Sequence, residues 1–158
     1  MMEIKVDINS QTMTVFQGKN IVKKYLVSTA KNGPGEKRDS EQTPRGRHII
    51  RAKIGADMPP NTVFRGRRPT GEKYECGLRE QYPDRDWILT RIMWLSGQEP
   101  GRNRLGDVDT MRRYIYIHGS PDDVEMGKPG SRGCIRMRNT DIIELFDMIS
   151  AGTTITIE

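Results

Sequence analysis

The sequence predicts a mainly β domain, either a sandwich or a partial barrel, with one clear helix near the C-terminus. Three observations point to this fold class. Short runs of alternating apolar and polar residues recur along the chain, and that period is typical of a half-buried strand. Segments rich in Gly, Pro, Asn and Asp separate the runs. A single stretch near the end has the apolar spacing of a helix.

The alternating runs define the strands in chain order. Short turns at Ser10 and Gly18 join the first three, so we expect an antiparallel meander. Residues 87–95 form the most apolar run and should be a central strand, because a continuous apolar run is typical of a strand buried on both faces. Residues 29–45 are a long loop rich in breakers, and such loops are often functional or mobile. The predicted strands are residues 3–8, 12–16, 20–28, 46–54, 87–95, 112–118 and 153–158.

The predicted helix follows Arg138. We expect Asn139 or Thr140 to cap its N-terminus, because short polar side chains can accept a bond from a free first-turn amide. Gly152 should end it. Four apolar residues recur at the spacing i, i+3, i+4, i+7 and form its buried face: Ile142, Leu145, Phe146 and Ile149.

Length, charge and composition limit the classes of protein. At 158 residues the chain is expected to form one domain over residues 1–158. The net charge is +5, and arginine supplies 17 of the 26 basic residues. No basic block interleaved with aromatic residues is present, which disfavours a nucleic-acid partner. Arg132, Arg136 and Arg138 surround a cysteine, and guanidinium groups bind carboxylates in bidentate fashion. We therefore expect a substrate rich in carboxylates.

Two cysteines and two histidines, all isolated in the sequence, lack the short spacing of a metal site. We expect neither a metal nor a cofactor. No apolar run approaches the length of a membrane helix. The alternating pattern begins at Glu3 without a signal peptide, so we expect no membrane anchor and a cytoplasmic location, with a periplasmic one only through an unrecognised export route.

His118 and Cys134 are the residues most indicative of function. A predicted strand ends at His118, and a loop of 15 residues rich in Pro and Gly returns the chain to Cys134. A thiol beside an imidazole is a nucleophile with its base, which is the arrangement that acyl transfer through a thioester requires. The neighbouring arginines and the nearby helix N-terminus should favour the thiolate. A structural role for a buried cysteine is the alternative.

Glycines flank both residues of this pair. Gly133 permits close approach of the backbone, so the amides of Gly133 and Cys134 could stabilise a developing oxyanion. The Gly119 carbonyl could hold the tautomer of His118, the role that a carboxylate has in a triad.

These residues resemble the catalytic domain of the L,D-transpeptidase (YkuD-type) family. The resemblance lies in His-Gly-Ser at residues 118–120, in Ser-Arg-Gly-Cys-Ile-Arg-Met at residues 131–137, and in the following Asn-Thr-Asp-Ile and short helix. It extends upstream to residues 28–29, 32–33, 43–46 and 48, and so covers most of the chain. The implied fold is a β-sandwich-like domain.

The resemblance also implies residue roles. Cys134 would be the nucleophile, His118 the general base and acid, Gly119 the carbonyl that orients it, and the backbone at Gly133 the oxyanion hole. Arg136 matches the family arginine and would bind a substrate carboxylate or brace the loop.

Three further residues are candidates for substrate binding. Ser131 matches the family Ser/Thr and is better explained as supporting the turn. Tyr116 shares a predicted strand face with Tyr114 and could line a groove, with packing as the simpler interpretation. Arg132 departs from the family pattern, which commonly has His before Gly-Cys. Arg132 cannot exchange protons near neutral pH, so His118 is the one base expected near Cys134.

Other residues are interpreted as structural. His48 lies on a predicted strand and is expected to be a buried structural histidine rather than a substrate ligand. Cys76 is expected to be an ordinary thiol. Trp87 and Trp94 are expected to line the core or a groove.

By resemblance, the substrate is a peptidoglycan stem peptide or muropeptide, cleaved between meso-diaminopimelate and D-alanine. The acyl-enzyme would react with water, as in an L,D-carboxypeptidase, or with an amine, as in an L,D-transpeptidase that forms cross-links. Without an export signal in view we expect the first: trimming of tetrapeptides to tripeptides in cell-wall recycling. A module that binds cell-wall fragments without catalysis is the alternative from another class.

Overall fold

The structure is a computed structural model that describes residues 1–158. Ten strands, two α-helices and one short 3-10 turn follow the chain. The strands are β1 Met2–Asp7, β2 Thr12–Gln17, β3 Asn20–Leu26, β4 Gly46–Ile54, β5 Thr62–Arg65, β6 Arg68–Lys73, β7 Ile88–Gly97, β8 Tyr116–Ser120, β9 Ile135–Arg138 and β10 Thr154–Ile157. The helices are α1 Cys76–Gln81 and α2 Asn139–Met148, and the 3-10 turn is Gly106–Val108.

All ten strands belong to one curled sheet. Its main path has the order β3-β2-β1-β10-β4-β7-β5-β6, and β8 and β9 branch from β7. The strands β1, β2 and β3 form the expected antiparallel meander. The predicted central strand is confirmed, since β7 pairs with β4, β5 and β8. The fold is therefore mainly β, as the sequence predicts.

The main core lies between one face of this sheet and α2. Ile142, Leu145 and Phe146 of α2 are buried there against alternate residues of the strands. A smaller cluster of Phe64, Ile92 and Tyr116 lies elsewhere on the sheet, with Cys134 packed at its edge. Neither helix has the length or the apolar composition needed to cross a membrane.

Several predicted boundaries differ from the structure. The strand predicted at residues 112–118 begins only at Tyr116 and ends at Ser120. The reason is Tyr114, whose φ of 57° takes the chain out of extended conformation. His118 therefore lies inside a strand and not at its end. The elements β5, β6, α1 and β9 were not predicted, because each is short and lacks a clear period.

The expected N-cap of the helix is also wrong. Arg138 occupies the N-cap position and makes no side-chain cap hydrogen bond. Asn139 is buried, and its side chain bonds to Thr90 and Asn61 instead. The helix ends at Met148, four residues before Gly152.

Candidate active site

The pairing of β8 with β9 brings the predicted site residues together. The two strands are parallel, with Ile117 opposite Ile135 and His118 opposite Arg136. Both isoleucines are buried in the main core. Because successive side chains of a strand point to opposite faces, His118 and Arg136 lie on the other face. Cys134 directly precedes β9, two residues before Arg136, on this same face.

His118 is fully buried in the sheet. Its Nδ1 lies 2.6 Å from the carbonyl oxygen of Gly119. A carbonyl can only accept a hydrogen bond, so Nδ1 carries the proton and Nε2 of the neutral ring carries a lone pair. Nε2 has no hydrogen-bond partner in the protein. Burial lowers the pKa of His118, which keeps the ring neutral.

Cys134 is half-buried. Its Sγ accepts a hydrogen bond from the Tyr116 amide at 3.3 Å and lies 3.5 Å from the Tyr114 carbonyl oxygen, to which the thiol can donate. It makes no hydrogen bond to His118. Burial raises the pKa of the thiol to about 12, outweighing the Tyr116 amide and the charges of Arg113 and Arg136, which lower it.

The expectation that neighbouring charges favour the thiolate is met by Arg136, but burial outweighs this charge and leaves the pKa of Cys134 raised. Desolvation penalises the charged form of the sulfur more than its neighbours stabilise it. The helix N-terminus adds little, because all four residues of β9 separate Cys134 from α2 and the effect of a helix end falls off within about one turn. Before a substrate binds, thiol and imidazole are both neutral.

The turn before Cys134 differs from the expected oxyanion hole. Gly133 has a φ of +131°, which side chains rarely adopt, and its amide donates to Ser131 Oγ at 3.2 Å. The Ser131 hydroxyl in turn donates to the Cys134 carbonyl oxygen. The Gly133 amide and the Ser131 hydroxyl are thus bonded within the turn, so the Gly133 amide is not free to donate to an oxyanion. Ser131 stabilises the turn through both bonds. The amides of Arg132 and Cys134 make no hydrogen bond within the protein, so both are free donors of this turn, and that of Cys134 belongs to the residue that carries the sulfur.

The loop at residues 29–45 packs against the same turn. Thr43 Oγ1 accepts a hydrogen bond from the Ala30 amide and donates to the Gly133 carbonyl oxygen, both at 2.9 Å. The Ser131 amide donates to Thr29 O at 2.9 Å. This loop, which could not be assigned a role from the sequence, holds the backbone that carries Cys134.

Arg113 also belongs to the candidate site, and the sequence analysis did not identify it. Its guanidinium donates to the carbonyl oxygens of Gln42 at 2.7 Å and Gly35 at 3.3 Å, and to Ser40 Oγ at 3.3 Å. It fixes the 29–45 loop and also places a positive charge that lowers the pKa of Cys134. No sequence signal marked it, because it lay within an ordinary predicted strand.

Cys134 opens into a cavity of about 510 Å³. Tyr116 lines it, and its hydroxyl accepts a hydrogen bond from Arg67 at 3.0 Å. The guanidinium of Arg67 also lies 4.8 Å from the ring centre of Tyr114, in the geometry of a cation–π contact. The charged residues of the lining are Arg67, Asp86, Arg113 and Arg132.

A second cavity, of about 210 Å³, shares Asp86 and Arg132 with the first. Arg132 is exposed and donates to the Asp84 carbonyl oxygen at 2.6 Å. Arg136 is half-buried, donates to Ser28 Oγ at 2.8 Å, and has an Nε without a partner. Burial lowers the pKa of Arg136. The charge of Asp86 acts on His118, Cys134 and Arg136 alike; the sequence pattern did not mark this residue.

Of the remaining candidates, Trp94 packs against the same small cluster as Cys134 and Trp87 lines the second cavity, as expected for core or groove residues, whereas His48 and Cys76 line neither cavity. His48 is fully buried with both ring nitrogens hydrogen-bonded. Cys76 is exposed at the start of α1. Trp87 packs with Val63 and Leu89 in a small separate cluster. Trp94 stacks edge-on with Tyr116 at 5.9 Å between ring centres.

The arrangement has the groups that acyl transfer requires. A neutral imidazole with a fixed tautomer offers a lone pair, a thiol lies on the same face, and a free backbone amide adjoins the sulfur. In the structure the sulfur and Nε2 are not yet bonded to each other. Such bonds often tighten only when a substrate is bound.

Comparisons with known proteins agree with this geometry. The family model of the L,D-transpeptidase catalytic domain, YkuD, matches residues 2–157. A Bacillus licheniformis protein bearing the name L,D-transpeptidase YkuD is 26% identical over 154 residues, covering 98% of this chain and 64% of that protein. The Bacillus subtilis protein of the same name is 44% identical over 46 residues, which are 29% of this chain and 28% of that protein.

Solved structures show the same fold. An L,D-transpeptidase from Mycobacterium smegmatis superposes with a TM-score of 0.59 at 19% identity, covering 99% of this chain and 58% of that one. An L,D-transpeptidase from Xylanimonas cellulosilytica gives 0.62 at 15% identity, covering 99% and 60%. The chain thus spans less than two thirds of each of these relatives. Since the family model matches nearly the whole chain, this protein belongs to the YkuD family of L,D-transpeptidase catalytic domains.

Proposed function

We propose that this chain is a cysteine acyltransferase that acts on peptidoglycan stem peptides at the bond between meso-diaminopimelate and D-alanine. The observation that carries the proposal is the state of His118. Its Nδ1 is held by the Gly119 carbonyl, and its buried Nε2 is left without a partner, on the sheet face that also carries Cys134. A histidine held in this way can accept the thiol proton at Nε2, because no other group of the protein is bonded to that nitrogen.

In the proposed first step, His118 Nε2 removes the proton of Cys134 as Sγ attacks the carbonyl carbon of the L,D bond. The carbonyl oxygen becomes an oxyanion, and the free amide of Cys134 donates to it. The imidazolium then gives its proton to the leaving D-alanine amine as the carbon–nitrogen bond breaks. A thioester between the peptide and Cys134 remains. The Gly119 carbonyl stabilises the imidazolium while it exists.

The charges around the sulfur suit this order of events. The raised pKa of Cys134 and the lowered pKa of His118 make a resting ion pair unfavourable, so proton transfer and attack occur together. The charge of Arg113 opposes the rise in the pKa of Cys134 and would stabilise the thiolate as it forms. Arg132 and Arg136, at the edge of the two cavities, are proposed to bind carboxylates of the stem peptide.

We further propose that water resolves the thioester, so the chain is an L,D-carboxypeptidase that shortens tetrapeptides to tripeptides. Three guanidinium groups and one carboxylate line the cavity at Cys134. The amine of a second stem peptide is cationic near neutral pH, so it would have to enter this positive surrounding and lose a proton before it attacks the thioester, whereas water enters uncharged. Cross-linking, the L,D-transpeptidase outcome, is thereby disfavoured.

The test is incubation of the purified protein with a disaccharide tetrapeptide, followed by mass spectrometry. The proposal expects loss of one D-alanine, and loss of activity in Cys134→Ala. Cys76→Ala is the matched control, because Cys76 is exposed and lines neither cavity. A dimeric product without tripeptide would contradict the proposed hydrolysis and show that the chain is a transpeptidase. Binding of the peptide without any product, in protein that is folded, would instead identify a binding module.

A further inference from the structure

Thr90 occupies a backbone conformation that its side chain disfavours. Its φ is +74°, and it is fully buried. For a β-branched residue this left-handed region is a true outlier. Such strain persists only where the surrounding structure enforces it, and it concentrates at functional sites.

The strained residue lies in a bulge of β7 that faces His118 and Gly119 of β8. The pairing of β7 with β8 is irregular between Leu89 and Ile92, where Leu89 is opposite Gly119 and Ile92 is opposite His118. Thr90 and Arg91 are the extra residues of this bulge. Bulges re-aim side chains and are over-represented next to active sites.

A buried hydrogen-bond network holds Thr90 in place. Its hydroxyl donates to Asn139 Oδ1 at 2.6 Å and accepts from the Asn61 amide at 3.1 Å. Asn139 Nδ2 donates to Asn61 Oδ1 at 3.0 Å. On the other side of the bulge, Arg91 donates to the Thr90 carbonyl oxygen at 2.7 Å. The conformation of Thr90 is therefore fixed through both its side chain and its backbone.

The same network encloses Gly119. A Cβ atom at Gly119 would overlap Asn139 Oδ1, lie 2.7 Å from the Leu89 carbonyl oxygen and lie 3.0 Å from Thr90 Cβ. Three different groups thus confine the Cα of Gly119. The carbonyl attached to that Cα is the one that bonds His118 Nδ1. A shift of the Gly119 peptide would break that bond.

We propose that Thr90 and Asn139 are positioning residues, which hold the Gly119 carbonyl against His118 Nδ1 and so keep the lone pair of His118 on Nε2. Neither residue touches the proposed substrate. The inference rests on the proposed function, in which His118 is the base. In this arrangement a buried amide and hydroxyl, acting through one peptide group, perform the orienting task that a carboxylate performs in a triad.

According to this proposal, the hydrogen bonds of Thr90 and Asn139 determine the tautomer and the pKa of the His118 ring and do not only stabilise the fold. Loss of the Gly119 contact should let the ring adopt the tautomer with the proton on Nε2, which cannot accept the thiol proton. The Gly119 bond also raises the pKa of His118, so its loss should lower that pKa further. A purely structural network would change stability and leave both properties alone.

The test compares Asn139→Leu and Thr90→Val, which remove the amide and the hydroxyl, with Thr90→Ser, which retains the hydroxyl. Asp57→Gly is the control, because Asp57 has a φ of 63° on the exposed surface and does not contact this network. Nitrogen-15 NMR reports the tautomer of both histidines, with His48 as internal reference. Iodoacetamide alkylation of Cys134 across pH, in a Cys76→Ala background, reports reactivity without any peptide substrate.

In Asn139→Leu and Thr90→Val we expect a changed His118 tautomer, an unchanged His48 signal, and alkylation about tenfold slower near neutral pH. The acid limb of the plot of alkylation rate against pH should move to lower pH, because the pKa of His118 falls when the Gly119 bond is lost. Thr90→Ser and Asp57→Gly should behave as the native protein does. If Asn139→Leu fails to fold, the test relies on Thr90→Val, because valine has nearly the same shape as threonine.

An unchanged His118 tautomer and pH profile in a folded Thr90→Val protein would overturn the proposal. These measurements are separate from the proposed function, because they need no turnover. A native protein that shows the expected tautomer and alkylation but releases no D-alanine would contradict the proposed function and leave the positioning role intact.

Discussion

The two histidines of this protein have nearly the same surroundings and differ at one atom. Both are fully buried in strands. In both, Nδ1 lies close to a backbone carbonyl oxygen, at 3.0 Å from Gly46 for His48 and at 2.6 Å from Gly119 for His118. Burial lowers the pKa of both. Residue type, burial and pKa therefore do not separate the structural histidine from the proposed catalytic one.

The difference lies at Nε2. In His48, Nε2 accepts a hydrogen bond from the Thr110 hydroxyl at 2.9 Å. In His118, Nε2 has no partner, although it is buried. An unpaired buried polar atom costs about 1–3 kcal/mol. The unsatisfied nitrogen supports the proposed role of His118 as the base, since the fold retains it at the expense of stability.

Replacing each histidine with glutamine should give opposite results. In His118→Gln, no base remains, so D-alanine release should fall by roughly 10²–10⁴-fold with little change in the melting temperature. In His48→Gln, the hydrogen bonds of a core residue are disturbed, so the free energy of unfolding should fall by about 1–3 kcal/mol while the rate stays within a few-fold. Rate and thermal unfolding are measured on both variants. Equal rate losses in two folded proteins would remove the distinction.

Acid should destabilise the protein through its buried histidines. The pKa of His48 is lowered by burial from 6.5 to about 4, so between these values the unfolded chain binds a proton that the native state does not. Stability is then present above about pH 6.5 and is lost as the pH falls toward 4, by about 3 kcal/mol for His48. Urea unfolding across this range measures the loss, to which His118 adds in the same direction.

The matched variant for this titration is His48→Gln. It should have a clearly flatter dependence of stability on pH, because only one of the two buried histidines, His118, then remains to titrate. If the slope of stability against pH does not change in this variant, His48 does not take up a proton on unfolding. That result would contradict the lowering of its pKa by burial.

Arg132→His should have the smallest effect. This change restores the residue that the family commonly has before Gly-Cys and adds an imidazole at an exposed position. His118 already has the free Nε2, and an ion pair between the exposed Arg132 and a substrate carboxylate contributes about 1 kcal/mol or less. We therefore expect the rate of D-alanine release to change by less than about fivefold, with the acid limb of its pH profile in the same place. A new titration in that profile would show that a second histidine takes part, and would weaken the contrast between His118 and His48.

Much of this arrangement follows from sequence pattern. Alternation predicted the meander, a continuous apolar run predicted β7, and the spacing of Ile142, Leu145 and Phe146 predicted α2. The residues His118 and Cys134 were marked by their type and by the glycines beside them. These features are local, and local patterns can be read from a sequence.

The parts that sequence reasoning missed depend on contacts between distant segments. The direction of the shift in the pKa of Cys134 depends on how much protein surrounds the sulfur, which no neighbouring residue reveals. Arg113 and Asp86 join the site only through the fold. Asn139 has the pattern of a helix cap, yet a stronger bond to Thr90, 49 residues away, takes its side chain elsewhere.

The contact between Thr43 and Gly133 has a consequence for folding. It joins residues 90 positions apart, and closing so long a segment of chain is entropically unfavourable until other contacts bring its ends together. The turn that carries Cys134 should therefore be completed late, after the sheet has assembled. The proposed acyl transfer would then become possible only once the protein has reached its native topology, because incompletely folded chains would carry the Cys134 thiol without its turn.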